Sequence, residues 1–130
     1  MQNYLVESLE DSNRIAPSGS QEGTYTMMVV GYWDQACALL NYGLLHERLF
    51  FETSGEFYAV WDRIKPIVAA IRERYHMDHW IEHLEKAASR FEKWVEKESP
   101  GAVDAMRQYT QQMRAAQPEK ATASKAAGTN

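Results

Sequence analysis

Apolar residues recur at intervals of three or four between Thr24 and Lys97, and all four tryptophans of the chain fall inside this stretch. The clearest stripes run from Phe57 to Ile71 and from Trp80 to Val95. Such a stripe covers one face of an α-helix, which must then be buried against other helices. The pattern therefore predicts an all-α protein: a helical bundle of four main helices with a short connecting helix and a disordered C-terminal tail.

Turn and capping residues give the helix boundaries. Gly43 is expected to end the second helix in the left-handed conformation. Thr53 and Glu56 have the spacing of a capping box for the fourth helix, and Asp78 is a suitable cap for the fifth. Pro66 lies inside the fourth helix and is expected to kink it without breaking it. The predicted helices cover residues 4–14, 24–41, 44–52, 53–75, 78–97 and 103–113.

These elements divide the chain into three regions: an N-terminal short helix and loop (1–23), a helical bundle domain (24–115) and a disordered tail (116–130). The second helix is apolar around most of its circumference, so it is expected to lie at the centre of the bundle. In the short connecting helix, Leu45, Leu49 and one of Phe50 and Phe51 are expected to face inward. The tail is predicted from its composition, since it has no apolar residue larger than alanine.

Composition excludes several classes of function. The net charge of −4 argues against a nucleic-acid-binding protein. The most apolar stretch, residues 27–45, is interrupted by Asp34, Gln35 and Asn41, so no membrane span is predicted. A single cysteine cannot form an intramolecular disulfide or a cysteine zinc cage. These features favour a cytoplasmic protein, and no cofactor is predicted.

The run His79-Trp80-Ile81-Glu82-His83 is the sharpest chemical motif. Two histidines four residues apart on a helix can bind one zinc ion, with the glutamate as general base, and His76 lies close by in sequence. However, such hydrolases need a further ligand from a distant element, and Trp80 and Ile81 fit the core stripe. We therefore interpret the motif as a surface cluster of histidines and keep a metal-dependent hydrolase using His79, Glu82 and His83 as an alternative.

Two residues of the second helix have chemistry that needs an explanation. Cys37 lies between alanines and is interpreted as a packing residue. Asp34 is a carboxylate on an otherwise apolar helix, and it must reach solvent or a cation. We expect an ion pair with Arg48, Arg63 or Arg72 in preference to a catalytic acid.

The segment from Val30 to Trp94 resembles a bacterial family known as domain of unknown function 4760. The sequence Asn41-Tyr42-Gly43-Leu44-Leu45 is similar to the turn between two helices of that family. Trp61, followed by Pro66 and Arg72, is similar to its next helix. The resemblance implies a helical domain and supplies no catalytic residues.

The predicted function is a helical interaction or assembly module without an evident catalytic site. We expect a homodimer through an apolar patch left by the short first and last helices, or a complex with another protein. Four helices cannot cover both long stripes, the apolar second helix and the further aromatic residues Tyr58, Phe50 and Phe51, which are expected to be exposed. A second alternative is a binder of a small apolar ligand. It would require a closed cavity within the aromatic set, which comprises Trp33, Trp61, Trp80, Trp94, Phe50, Phe51 and Phe57.

Overall fold

The computed structural model describes the backbone of residues 6–128 and the side chains of residues 6–116. This part of the chain contains six helices and no strand, which confirms the all-α prediction. Helices α2, α4 and α5 pack against one another, α1 packs on α4, and α6 packs on α5. The helices are α1 (Leu9–Ile15), α2 (Gln21–Asn41), α3 (Glu47–Thr53), α4 (Glu56–Tyr75), α5 (Glu82–Glu98) and α6 (Ala102–Gly128).

A serine cap sets the start of α2, three residues before the predicted one. The Ser20 hydroxyl accepts a hydrogen bond from the Gly23 amide at 3.0 Å, which satisfies one of the free amides of the first turn. Gly23 is also required for packing, because a Cβ atom there would overlap the carbonyl oxygen of Pro17. The other end of α2 is as predicted: the helix stops at Asn41, and Gly43 has a φ of +77°.

The core lies where α2, α4 and α5 meet. Ala87 and Ala88 of α5 and Cys37 of α2 are almost completely buried. Small side chains at a contact let two helices lie close together. Next to this contact the rings of Phe51, Phe57 and Phe91 pack together, with centroids 5.2–6.1 Å apart.

Helix α2 is not the central element, so that prediction is wrong. One side, which includes Val30, Cys37 and Leu40, is buried, whereas large apolar residues such as Met28 and Tyr32 are exposed on the other side. The sequence of α2 suggests a helix that is apolar around its whole circumference because the buried side and the exposed side both carry apolar residues.

The short helix α3 also departs from its prediction. Leu45 precedes the helix, and both Leu45 and Leu49 are exposed rather than buried. Phe50 and Phe51 are both buried, so the helix inserts two aromatic rings instead of one.

The expected side-chain caps of α4 and α5 do not form. The N-cap of α4 is Gly55, without a side-chain hydrogen bond, and the Thr53 hydroxyl instead donates to the Leu49 carbonyl at 2.7 Å. Helix α5 begins at Glu82, four residues after Asp78, with Ile81 as its N-cap residue. Helix α4 continues through Pro66 to Tyr75, so the proline does not break it, as predicted.

Both ends of the chain bear on the predictions. Tyr4 and Leu5, expected in the first helix, lie outside the described residues, whereas Val6 is fully buried in the core. Helix α6 extends to Gly128, past the predicted end at residue 113 and into the region predicted as a disordered tail (116–130). The side chains of residues 117–130 lie outside the described residues.

Candidate interaction surface

The two histidines of the H-x-x-E-H run do not share a helical face. His79 lies in the turn before α5, and His83 is the second residue of that helix. Both point at the same carboxylate: His79 Nδ1 is 2.9 Å from Glu82 Oε2, and His83 Nε2 is 3.9 Å from Glu82 Oε1. The hydrogen bond with His79 lowers the pKa of Glu82 and so favours its ionised form. This carboxylate is therefore already bound to a histidine and is not a free general base. The helical pair on which the hydrolase alternative depends is therefore not formed.

Further contacts fix His83 from the other side. The Asn41 amide nitrogen donates to the His83 carbonyl at 3.1 Å and lies 3.3 Å from His83 Nδ1. The Tyr42 ring packs at a tilt against the imidazole, with centroids 5.8 Å apart. His76 is exposed in the left-handed conformation at the C-terminal end of α4. Within residues 6–116, no group of three or more His, Cys, Asp and Glu side chains is placed to hold a metal ion.

Asp34 binds the start of α5 instead of an arginine. Its Oδ1 accepts a hydrogen bond from the Leu84 backbone amide at 2.9 Å. Two of its three expected partners are engaged elsewhere: Arg48 pairs with Glu52, and Arg72 pairs with Glu85. The carboxylate supplies the acceptor that the first turn of α5 otherwise lacks.

Arg72 holds the same turn from α4. Its Nε and Nη2 atoms donate to the Trp80 carbonyl at 3.0 and 2.7 Å, and Nη1 donates to Glu85 at 3.2 Å. Between these contacts Ile81 is buried at a φ of +49°, a strained conformation for a β-branched residue. The polar residues around the start of α5 thus support the connection between α4 and α5.

Cys37 has the environment of a packing residue, as predicted. Its side chain is fully buried, and burial together with the charge of Asp34 raises the pKa of the thiol to about 12. A thiol that stays protonated at neutral pH is a poor nucleophile.

The aromatic set is mostly packed core. Phe50, Phe51 and Phe57 are buried, and the four tryptophans are partly buried against the core. A groove of about 490 Å³ does exist between α4 and α6, but it is open on one side, and none of the tryptophans lines it. Its apolar walls come from Tyr58, Phe91, Met106, Tyr109 and Met113.

The three aromatic residues that were expected to be exposed are buried. Phe50, Phe51 and Tyr58 are each 4–8% exposed, and the Tyr58 hydroxyl donates to Glu92 at 2.7 Å. Large apolar residues are exposed elsewhere instead, and about half of them lie along the outward side of α2 and at its C-terminal end. We call this the α2 surface; its residues, 42–76% exposed, are Tyr25, Met28, Tyr32, Leu39 and Tyr42.

Spacing and charge distinguish the α2 surface from scattered exposed residues. With Gln35 included, its positions follow each other at intervals of three and four, which places them in one row along the helix. Between Glu22 and Glu47 the only acidic or basic residue apart from His46 is Asp34, which points to α5. Gly31 lies beside the row, and a Cβ atom there would meet no described residue within 4 Å other than its chain neighbours and the backbone of its own helix.

Comparison with known proteins places these features in a family. The family model described as Domain of unknown function (DUF4760) matches residues 3–94. The chain belongs to this family. The DUF4760 match covers the whole α2 surface and ends in α5 at Trp94, so α6 and its side of the groove lie after it. Searches of curated proteins and of solved structures found no match to the chain.

Sequence reasoning missed the α2 surface although the signal was present. Tyr25, Met28, Tyr32 and Leu39 keep heptad spacing, while Val30 and Cys37 form a second row on the opposite side. Two rows on one helix read as a single wide apolar face, which indicates a buried helix. Separating the rows by side-chain size would have helped, because the outward row carries the tyrosines.

Proposed function

We propose that this domain is an assembly module that associates with further copies of itself through the α2 surface. The observation that carries the proposal is a row of five large apolar residues, all exposed and with no charged residue among them. Soluble proteins rarely leave a contiguous apolar patch of this kind uncovered.

The size of the patch is appropriate for a protein contact. A fully exposed aromatic or long aliphatic side chain offers roughly 200 Å². At their observed exposure, the five residues present on the order of 600 Å² of apolar surface. One partner in a standard protein interface buries about 800 Å². The α2 surface and the residues at its edges are therefore large enough for a stable pair.

A protein contact accounts for the charge pattern better than a lipid surface does. Helices that lie on membranes carry lysine and arginine on their polar side. Helix α2 has neither residue, and the nearest basic residues in sequence are Arg14 and Arg48. Among the described helices, none is both long and apolar enough to cross a bilayer. An uncharged surface also suits self-association, because two copies meet without repulsion between like charges.

The proposal includes a cytoplasmic setting, which rests on the single, buried cysteine. It replaces the hydrolase alternative because His79, His83 and Glu82 already contact one another.

Light scattering coupled to size-exclusion chromatography tests the proposal. We expect the mass to exceed the 15.0 kDa of one chain as the concentration rises through the micromolar range. Tyr32→Lys should shift the protein back to the mass of one chain, because it places a charge in the middle of the contact. Gln111→Lys on α6 adds the same charge at another exposed position and should leave association unchanged. A wild-type protein that stays at 15.0 kDa throughout, or association that Tyr32→Lys does not weaken, would contradict the proposal.

A further inference from the structure

Gly31 is the feature of α2 that the fold does not explain. A glycine inside a helix destabilises it relative to alanine, so such a residue usually has a packing reason. At Gly23 the reason is the close approach of Pro17. At Gly31 the position that a Cβ atom would occupy is open: apart from its chain neighbours and the backbone of its own helix, no atom of the described residues lies within 4 Å of it. Nothing in the described part of the chain therefore explains the glycine, and a second chain could approach it closely.

Small residues continue along this edge of the α2 surface. At 3.6 residues per turn, Thr24, Gly31 and Ala38 are seven residues apart and form a second row beside the large one. Small residues at a helix–helix contact let the two backbones come close together. The edge is therefore suited to a second helix that packs on the large row.

We propose that the α2 surface binds α2 of one further copy, in antiparallel orientation, around a two-fold axis at the level of Tyr32 and Gln35. This inference rests on the proposed function and names the segment that occupies the surface. In the register that overlaps the whole row, Met28 lies opposite Leu39 of the second copy, and Tyr32 lies opposite its Gln35. Gly31 then lies close to Ala38 of the second copy, and the symmetry makes each contact twice.

The order of residues favours the antiparallel orientation over a parallel one. In a parallel pair each residue faces its own copy, so the two Tyr32 rings would meet at one level and hold the helices apart beside Gly31. In the antiparallel pair each Tyr32 hydroxyl can instead form a hydrogen bond with a Gln35 amide, which gives both polar groups a partner in the contact. The antiparallel pair also places the partly positive N-terminal end of each α2 beside the partly negative C-terminal end of the other, which is favourable.

Disulfide formation between single-cysteine variants tests the orientation. The antiparallel pair brings Met28 next to Leu39 of the second copy, so a mixture of Met28→Cys and Leu39→Cys proteins should form mixed disulfides. Each variant alone should form few, because two copies of residue 28 would be about 16 Å apart at 1.5 Å per residue, beyond the reach of a disulfide. Cys37 is buried, so the wild-type protein gives the background.

The outcomes separate this inference from the proposed function. If each variant cross-links to itself as readily as in the mixture, the pair is parallel and the inference is wrong, while self-association stands. If light scattering shows masses that grow beyond two copies, the surface binds another part of the chain, such as the α4–α6 groove, and the inference is again wrong. A monomeric protein without cross-links contradicts both.

A second variant tests the close approach at Gly31. Gly31→Gln adds a long uncharged side chain at a position that is open within one chain, so the monomer should unfold at the same temperature or higher. The dissociation constant of the pair should rise by about tenfold or more, because the side chain blocks the contact with Ala38 of the second copy. Ser89→Gln, at an exposed position of α5, is the matched control and should leave the dissociation constant unchanged. Unaltered association of Gly31→Gln would overturn this placement of Gly31.

Discussion

The carboxylate oxygen Oδ1 of Asp34 lies 2.9 Å from the backbone nitrogen of Leu84 and accepts its hydrogen bond, although the two residues are 50 positions apart in sequence. Leu84 is the third residue of α5, and Ile81, the N-cap residue of that helix, has no capping side-chain hydrogen bond. Helix α2 therefore supplies the cap of α5, and the start of α5 depends on the packing of the two helices.

Replacing Asp34 should show this cap. Asp34→Ala should lower the free energy of unfolding by about 1–2 kcal/mol, the usual effect of losing a capping acceptor. Asp34→Asn keeps an oxygen that can accept the bond, so its loss should be smaller. Urea denaturation followed by circular dichroism measures both. Equal losses for the two variants would mean that the charge of Asp34, and not its hydrogen bond, is what stabilises the domain.

The two glycines of α2 should respond oppositely to alanine. Gly23→Ala places a Cβ atom against the Pro17 carbonyl oxygen and should cost about 1–3 kcal/mol, as overpacking does. Gly31→Ala meets open space and should stabilise one chain by about 0.5–1 kcal/mol through better helix propensity. Thermal unfolding at concentrations below the dissociation constant compares them. A Gly23→Ala protein as stable as the wild type would show that the loop before α2 moves aside freely.

The Cys37 thiol should be unreactive in the folded protein. Since burial raises its pKa from 9.0 to about 12, the thiol stays protonated as the pH rises through the range in which an unfolded cysteine ionises. Reaction of the thiol with an aromatic disulfide reagent, followed by the absorbance of the yellow thiolate that it releases, should therefore stay slow between pH 8 and about pH 10. The same reaction should become fast in denaturant. Fast native-state labelling that follows an ionisation near pH 9 would show that the residue reaches solvent.

Zinc should not bind stoichiometrically at the histidine cluster. His79 and His83 approach one carboxylate from different elements, and the described residues provide no third ligand nearby. Elemental analysis after dialysis against zinc is the measurement, with the double variant His79→Ala, His83→Ala as the control. One zinc per chain that the double variant loses would restore the metal-site alternative.

Removal of residues 118–130 should leave the domain stable. The segment has no apolar residue larger than alanine, so it cannot offset an ordering cost of about 1–2 kcal/mol per residue by burial. The shortened protein keeps Arg114, which donates to the Asp62 carbonyl at 2.7 Å and ties α6 to α4. Its melting temperature should change by less than about 2 °C, which for a domain of this size corresponds to a change of less than about 1 kcal/mol in the free energy of unfolding. A larger cooperative loss would show that the tail packs on the domain.

The sequence predicted a helix boundary correctly where neighbouring residues alone determine it. Gly43 stops α2 because a glycine takes the left-handed conformation easily, and this holds whatever packs nearby. The predicted start of α5 was wrong because the true start depends on residues that are distant in sequence. Asp34 and Arg72 hold the turn through hydrogen bonds, and the buried Ile81 in that turn has a strained backbone conformation. No pattern within residues 76–84 contains that information.

The candidate surface was hidden for a different reason. Hydrophobic spacing shows that a helix has an apolar side, but it does not say which of two such sides faces the core. On α2 Val30, Cys37 and Leu40 face inward, and the tyrosines face outward. Only the packing of the neighbouring helices decides which of the two sides is buried.

The division of α2 into an inward and an outward row also concerns how such a protein can change over time. Met28 and Tyr32 are about two-thirds exposed, so substitutions there should cost the fold less than substitutions at the buried Val30 or Cys37. Residues of the outward row can therefore be substituted, and can come to bind a different partner, while the domain still folds. One helix thus carries two nearly independent sets of constraints, and selection can alter one while the other stays as it is.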